Sequence, residues 1–419
     1  MKISIKREQS KLAYSAEREK FGTQFKQIKF LMLAMMAFIA SATFIACSSD
    51  DDNGNNGGGD GDMSVSNYQR YQKVVNETVK SQKKSNKALL LVAFGSTWEQ
   101  AYDTFDKVVD EYKAAFPDWD VYLSFSSAIC INNARAGENV DPKEYYDPEH
   151  WLTAIGLADY KQIAVQSLQV IPGEEYRRVR DSYIKDFMNN RNNDFTDEYM
   201  KSIDRQVVLG TPLMAEEEDA ENLAKTLNNE SDIKAAVANG IVAFMGHGNP
   251  EGYDYFGGNV RYLQLEDALR KISKNYYVGT VDMDDTYAEN VLEHIAGGTF
   301  VYQVGDLKKT ITYEANDSQK AQLFVLMSIA GDHAHNDMAD DEDDESWYSL
   351  FNAAGIETEA YETNFTEPCW KKYKSGDEYI PGLAERSAIR KLWINHTREA
   401  INKLGTDEAL STPTTAPEE

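Results

Sequence analysis

Two histidines and two aspartates fall within the stretch AGDHAHNDM, Ala330–Met338, in a chain that has only six histidines. His333 follows an apolar run, with Asp332 beside it. A metal-bound imidazole usually gives its second N–H to an oxygen acceptor, so Asp332 could orient the ring. Asp332 and Asp337 could instead cap a following helix. His335 shares the face of His333 only if the segment is extended. His247 lies in MGHGN, between two glycines that leave room for a ligand at the backbone and ring. The alternative is a histidine satisfied within a tight turn. Asp282 ends the run YYVGTV, with Asp284 and Asp285 just beyond it. It offers either an oxygen ligand and proton acceptor, or a cap for a helix starting near Thr286.

Taken together, His247, His333 and Asp282 come from three separate strand ends. Imidazole plus carboxylate suits divalent Zn, Fe or Co better than Ca or Mg. Three protein ligands would leave open positions, as a working site requires. The acidic run DDEDDE, Asp340–Glu345, either favours a following helix through its dipole or gathers metal cations. His150, His294 and His396 have no motif around them and read as structural. No serine nucleophile elbow, P-loop or HExxH is present, and VAFGST has a single glycine. Hydrolytic and nucleotide chemistry are disfavoured, and no nucleotide is expected.

The elements that must position these residues alternate. ALLLVAF, Ala88–Phe94, is a continuous apolar run, as a strand covered on both faces requires. A helix follows with Trp98, Tyr102, Phe105, Val109, Tyr112 and Phe116 on one stripe. WDVYLSF, QIAVQSL and QVVLG supply further strands, and a charged helix begins near PGEEYRRVRD. The pattern then restarts. GIVAFMGHG echoes LLLVAFGST, and LFVLMSIAGDH echoes IAVQSLQVIPGEE at a similar offset. The expected fold is α/β: two similar Rossmann-like halves with parallel sheets, ligands binding outside the carboxyl ends of the strands. Residues 87–235 make the first half and 236–405 the second, with 406–419 a disordered tail. Gly297–Gln319 reads as a hairpin inserted into the second half.

Residues 1–86 are expected to lie outside the fold. A basic start is followed by the apolar run Phe30–Ala46, the layout of a secretory signal over residues 1–46. It ends in FIAC, which resembles a bacterial lipobox and makes Cys47 the expected lipidation site. SSDDDNGNNGGGDGD then opens a polar tether, residues 47–86. The expected location is the cell envelope, on a membrane through the lipid anchor. A net charge of −26 disfavours nucleic acid as a partner. Cys130 and Cys369 are expected to be buried and unpaired.

LLLVAFGST, QSLQVIPGEEY, AFMGHGN, YYVGTV and VLMSIAGDHAHNDMADDEDDESW, in that order from about Lys87 to Thr397, resemble the CbiK-type anaerobic sirohydrochlorin cobaltochelatases. The resemblance implies a class II chelatase fold with a tetrapyrrole cleft between the halves. It implies insertion of Co2+, with Fe2+ the other candidate, into a tetrapyrrole, in corrinoid biosynthesis. Carried over, His247 and His333 bind the metal and the position of Asp282 completes the site; a neutral histidine can also accept a proton, which makes His247 the expected base and Asp282 an accessory acceptor. Asp282 stands where the family has glutamate, and its shorter carboxylate sits about one methylene back. Phe94, Gly95, Ser96 and Thr97 would approach the ring, with Phe244 on the cleft wall. The envelope location admits a rival: capture or dechelation of haem or another tetrapyrrole, in partnership with an outer-membrane importer.

Overall fold

The computed structural model describes residues 66–136, 143–250, 252–304, 307–359 and 380–413. The first half is a parallel sheet of β1 (Lys87–Ala93), β2 (Asp120–Phe125), β3 (Gln162–Ser167) and β4 (Val207–Gly210), in the order β2-β1-β3-β4. In the central strand β1, Leu89 and Leu91 join one apolar cluster while Ala88, Leu90 and Val92 join another. Successive side chains of a strand point to opposite faces, so an unbroken apolar run is what two covered faces demand.

The second half repeats the topology. It uses β5 (Ile241–Gly246), β6 (Tyr276–Thr280), β9 (Lys320–Leu326) and β10 (Glu357–Glu359), in the order β10-β9-β5-β6. Reading β5, β6, β9 and β10 for β1 to β4 turns one sheet order into the other. The α/β fold in two like halves with parallel sheets is therefore as the sequence leads one to expect. The insertion is the antiparallel hairpin β7 (Gly298–Val304) and β8 (Leu307–Tyr313), which forms its own two-stranded sheet.

Three boundaries differ from the sequence reading. The fold begins before residue 87: helix Asn67–Gln82 packs on helix Pro148–Leu157, with Val75 and Val79 fully buried. Helix Ser387–Ile401, allotted to the second half, packs instead on β3 and β4. Its Trp393 indole donates to the Gln169 carbonyl, and its Thr397 hydroxyl to Gln166 Oε1. The tail is ordered at least to residue 413, because Leu410 bridges Val207 on the edge of β4. That contact hides an otherwise open sheet edge.

Three histidines are structural, as expected. His150 N–H and ring meet the helix-capping Asp147. His294 stacks on Tyr313 with centroids 4.2 Å apart. His396 lies between the Thr211 carbonyl and Asp219. Cys130 is buried; Cys47, Cys369, the leader and residues 47–65 of the proposed tether lie outside the described residues.

Candidate active site

Register brings the first two site residues together. β5 and β6 pair up to Gly246 and Thr280, so the chains leave the sheet side by side. The backbone N–H groups of Val281 and Asp282 both donate to the His247 carbonyl, at 3.2 and 2.8 Å. Gly248 turns the chain with φ +79°. A Cβ there would lie 2.8 Å from both the Met283 nitrogen and Thr280 Oγ1. Behind this turn stands the buried Tyr262, whose hydroxyl accepts from Gly248 N–H.

Gly248→Ala is therefore expected to cost roughly 1–3 kcal/mol of stability, through left-handed strain and the close contacts. It should also lower activity by displacing His247. Urea denaturation and initial rates, measured side by side, check both.

His333 arrives from β9, on the other side of β5 in the sheet. Its ring meets that of His247 edge to face, centroids 4.8 Å apart and planes at 87°. His333 Nδ1 lies 2.5 Å from Asp337 Oδ2, one helical turn on. That carboxylate raises the His333 pKa above its ordinary value, against the opposing effect of burial. His247 Nδ1 faces the Gly248 carbonyl at 2.8 Å and Asp282 Oδ2 at 3.5 Å. Both histidines thus commit Nδ1 to oxygen acceptors, which leaves Nε2 of each as the nitrogen that could take a metal ion. The side chains of both are close to half exposed.

The three residues singled out by sequence, His247, Asp282 and His333, do converge. They are not a finished ligand cage: among the described residues no three His, Cys, Asp or Glu side chains are arranged to hold an ion alone. Asp282 stands beside His247 as an acceptor for its Nδ1 side.

Several neighbours are placed differently from expectation. Asp332 does not orient His333; it accepts from the Trp98 indole at 2.7 Å, and Asp337 does the orienting. Neither is a helix cap, because residues 334–338 form a single π-helical turn. That turn swings His335 away from His333 and stacks it on Trp98, centroids 3.6 Å apart and planes at 11°. Burial lowers the His335 pKa to about 4, so this ring is neutral. Phe244 is fully buried against Tyr276 and Phe324, in the core and not on a cleft wall. The acids of Asp340–Glu345 precede the helix Trp347–Ala353, whose cap is Ser346, and none lies in its first turn.

Across from these residues lies the Phe94–Thr97 turn at the carboxyl end of β1. Phe94 is 49% exposed, and Ser96 is buried with its hydroxyl accepting from Trp98 N–H. Gly95 adopts φ +107° and packs so closely on Cys130 and Phe125 that a Cβ would clash. Thr97 Oγ1 lies 3.5 Å from Asp332 Oδ1. Trp98 is the residue that sequence reasoning missed. Its place on an apolar helix stripe gave no sign that it binds the two halves together beside the histidines.

The cobalt chelatase (CbiK) family model matches residues 87–402. The sirohydrochlorin cobaltochelatase of Salmonella typhimurium is 27% identical over 320 residues, covering 75% of this chain and 97% of that protein. The sirohydrochlorin cobaltochelatase CbiKC of Nitratidesulfovibrio vulgaris is 26% identical over 321 residues, 76% of this chain and 92% of that protein. The solved structure of SirB from Bacillus subtilis with Fe3+ aligns at a TM-score of 0.45 and 14% identity, over 75% of this chain and 95% of that one. With the match running through both halves and all three converging residues, the chain belongs to the cobalt chelatase (CbiK) family.

Proposed function

We propose that this chain is a sirohydrochlorin cobaltochelatase, inserting Co2+ into a metal-free tetrapyrrole as a step of cobalamin biosynthesis, with His247, His333 and Asp282 as its working residues. The observation that carries this reading is the meeting of His247 and His333 from β5 and β9, with both Nδ1 atoms held and both Nε2 atoms left over. Insertion exchanges two pyrrole N–H protons for one divalent ion, so the site must present metal and accept protons. Neutral imidazole does both. His247 first holds the ion through Nε2 and takes one pyrrole proton on that nitrogen as the ion passes to the ring; the second proton leaves to solvent, His333 is the second ligand, and Asp282 stabilises charge on His247. An ion destined for transfer is better served by an incomplete ligand set than by a closed one, since the ring nitrogens must take over. Fe2+ would fit the same donors.

The test uses the soluble chain from residue 66 onward, with sirohydrochlorin and Co2+, followed by absorbance. Product in excess of one equivalent per protein supports the reading. Haem bound stoichiometrically with a Soret shift, and no turnover on sirohydrochlorin, would replace it with tetrapyrrole capture.

We further propose an envelope location, with the chain anchored through lipidated Cys47; the basic leader, the apolar run and FIAC support this. Cys47→Ser is expected to move the full-length protein from the membrane pellet to the soluble fraction of its host. An unchanged distribution refutes the anchor.

A further inference from the structure

A protein of net charge −26 that takes a tetrapyrrole bearing many carboxylates has an electrostatic problem. Cations must be gathered where the ring enters. One group of arginines is placed for this. The helix that begins at Glu174 carries Arg177, Arg178 and Arg180, and passes into a π-helical segment at Val179–Ile184. Such segments concentrate at functional positions. The helix starts just beyond the carboxyl end of β3, and its first turn abuts the chain that follows His247. A Cβ on Gly173 would lie 2.5 Å from Asn249 Oδ1, and one on Gly258 3.0 Å from the Pro172 carbonyl.

The arginines are held in a particular way. Arg177 grips Glu174 through Nε and Nη2, at 2.9 and 3.1 Å. Arg180 grips Asp181 in the same manner, at 2.8 and 3.1 Å. Each guanidinium also lies over an aromatic ring of the segment after His247, Arg177 over Tyr255 at 4.3 Å and Arg180 over Phe256 at 4.4 Å. Asp254 braces that segment by accepting from the Asn259 N–H and from Asn249 Nδ2. The side-on edge of each guanidinium is therefore occupied, and the flat face is seated. The Nη1 corner is engaged by no hydrogen bond among the described residues. An arginine fixed on two sides offers its remaining edge to a carboxylate with little entropy left to lose.

We propose that Arg177 and Arg180, seated on Tyr255 and Phe256, form the edge of the site that binds the peripheral carboxylates of the tetrapyrrole and selects polycarboxylate rings over less acidic ones. The proposal rests on the cobaltochelatase reading for the identity of the ligand, and assigns these arginines to specificity, not to the insertion step.

The test is an absorbance titration of metal-free sirohydrochlorin into the protein, at low and high salt, alongside cobalt-insertion kinetics. Arg177→Gln/Arg180→Gln is expected to raise Kd and KM about 10- to 100-fold and to leave kcat within about twofold. It should also flatten the salt dependence of binding, since fewer ionic contacts remain to be screened. Arg177→Lys/Arg180→Lys keeps the charges and should retain the salt dependence with an intermediate Kd. Because the side chains are well exposed, circular dichroism of both variants should match the parent.

A Kd and salt slope unchanged in a folded glutamine variant overturn the proposal while leaving the chelatase reading intact. Tight sirohydrochlorin binding lost in the glutamine variant, in a parent with no turnover, supports the arginine edge and overturns the chelatase reading. A parent that does not bind sirohydrochlorin overturns both.

Discussion

His247→Ala is expected to lower kcat for cobalt insertion by roughly 10²–10⁴-fold while the protein stays folded. His247 sits on the loop after β5 with its side chain 48% exposed, so truncation removes little packing. What it removes is one of two Nε2 donors and the proton acceptor nearest Asp282. His333→Ala should also be severe, but with a larger share of the loss in the apparent affinity for Co2+, since its assigned role is to hold the ion. Asp282 acts through its neighbour, so Asp282→Asn should cost about 10- to 100-fold, the range typical of groups that orient a metal ligand. Asp282→Glu restores the longer side chain that the family resemblance implies at this position, and should keep or improve the rate. Initial rates across a Co2+ series measure all four variants. Activity of His247→Ala within tenfold of the parent would remove the base and ligand role assigned to it.

The parts of this site that sequence made legible are those dictated by strand position. A run such as GIVAFMG has to be a buried strand, and the residue that follows it has to emerge at the carboxyl end of the sheet. His247, Asp282 and His333 could therefore be placed near one another from three such runs. The repeated strand pattern likewise foretold two sheets of the same order. What stayed hidden depended on geometry finer than period. β5 is covered on both faces, so alternation could not tell whether Phe244 looked into a cleft or into the core. The π-helical turn at Ala334–Met338 decided between Asp332 and Asp337 as the partner of His333. The helix Asn67–Gln82 is polar apart from Val74, Val75, Val79 and two tyrosines, so it read as tether until tertiary packing was known. The reach of Trp98 to Asp332 and His335 joins residues far apart in the chain, and no local pattern announces it.

The inserted hairpin has a buried polar base that leads to the second large effect. Glu266 is fully enclosed beneath it, accepting from Val278 N–H at 3.2 Å and from the Tyr313 hydroxyl at 2.6 Å. Beyond Tyr313, the Tyr302 hydroxyl meets His294 Nε2 at 2.6 Å. Burial pushes the Glu266 carboxyl up to about 7, against the hydrogen bonds and the nearby Arg270 that favour its charge. Burial also takes His294 down to about 4, so that ring stays neutral and supplies no compensating cation. The sign follows. A carboxyl whose folded pKa exceeds its unfolded value contributes stability that is fully present below about 4.5, and that stability is lost as pH rises through about 7. At about 1.4 kcal/mol for each pH unit between the two values, the loss by pH 8 is on the order of 3 kcal/mol. Glu266→Gln keeps the shape and removes the titration. Its amide oxygen can accept from Val278, and its NH2 can donate to Tyr313 if the tyrosine hydroxyl turns toward Tyr302. The variant should match the parent near pH 4 and exceed it in Tm by several degrees at pH 8, with the excess growing between about pH 4.5 and 7 and level above that. Thermal unfolding followed across that range reads the effect directly. A Tm difference between parent and variant that does not change from pH 4 to 8 would mean that Glu266 is not the group whose ionisation weakens the fold.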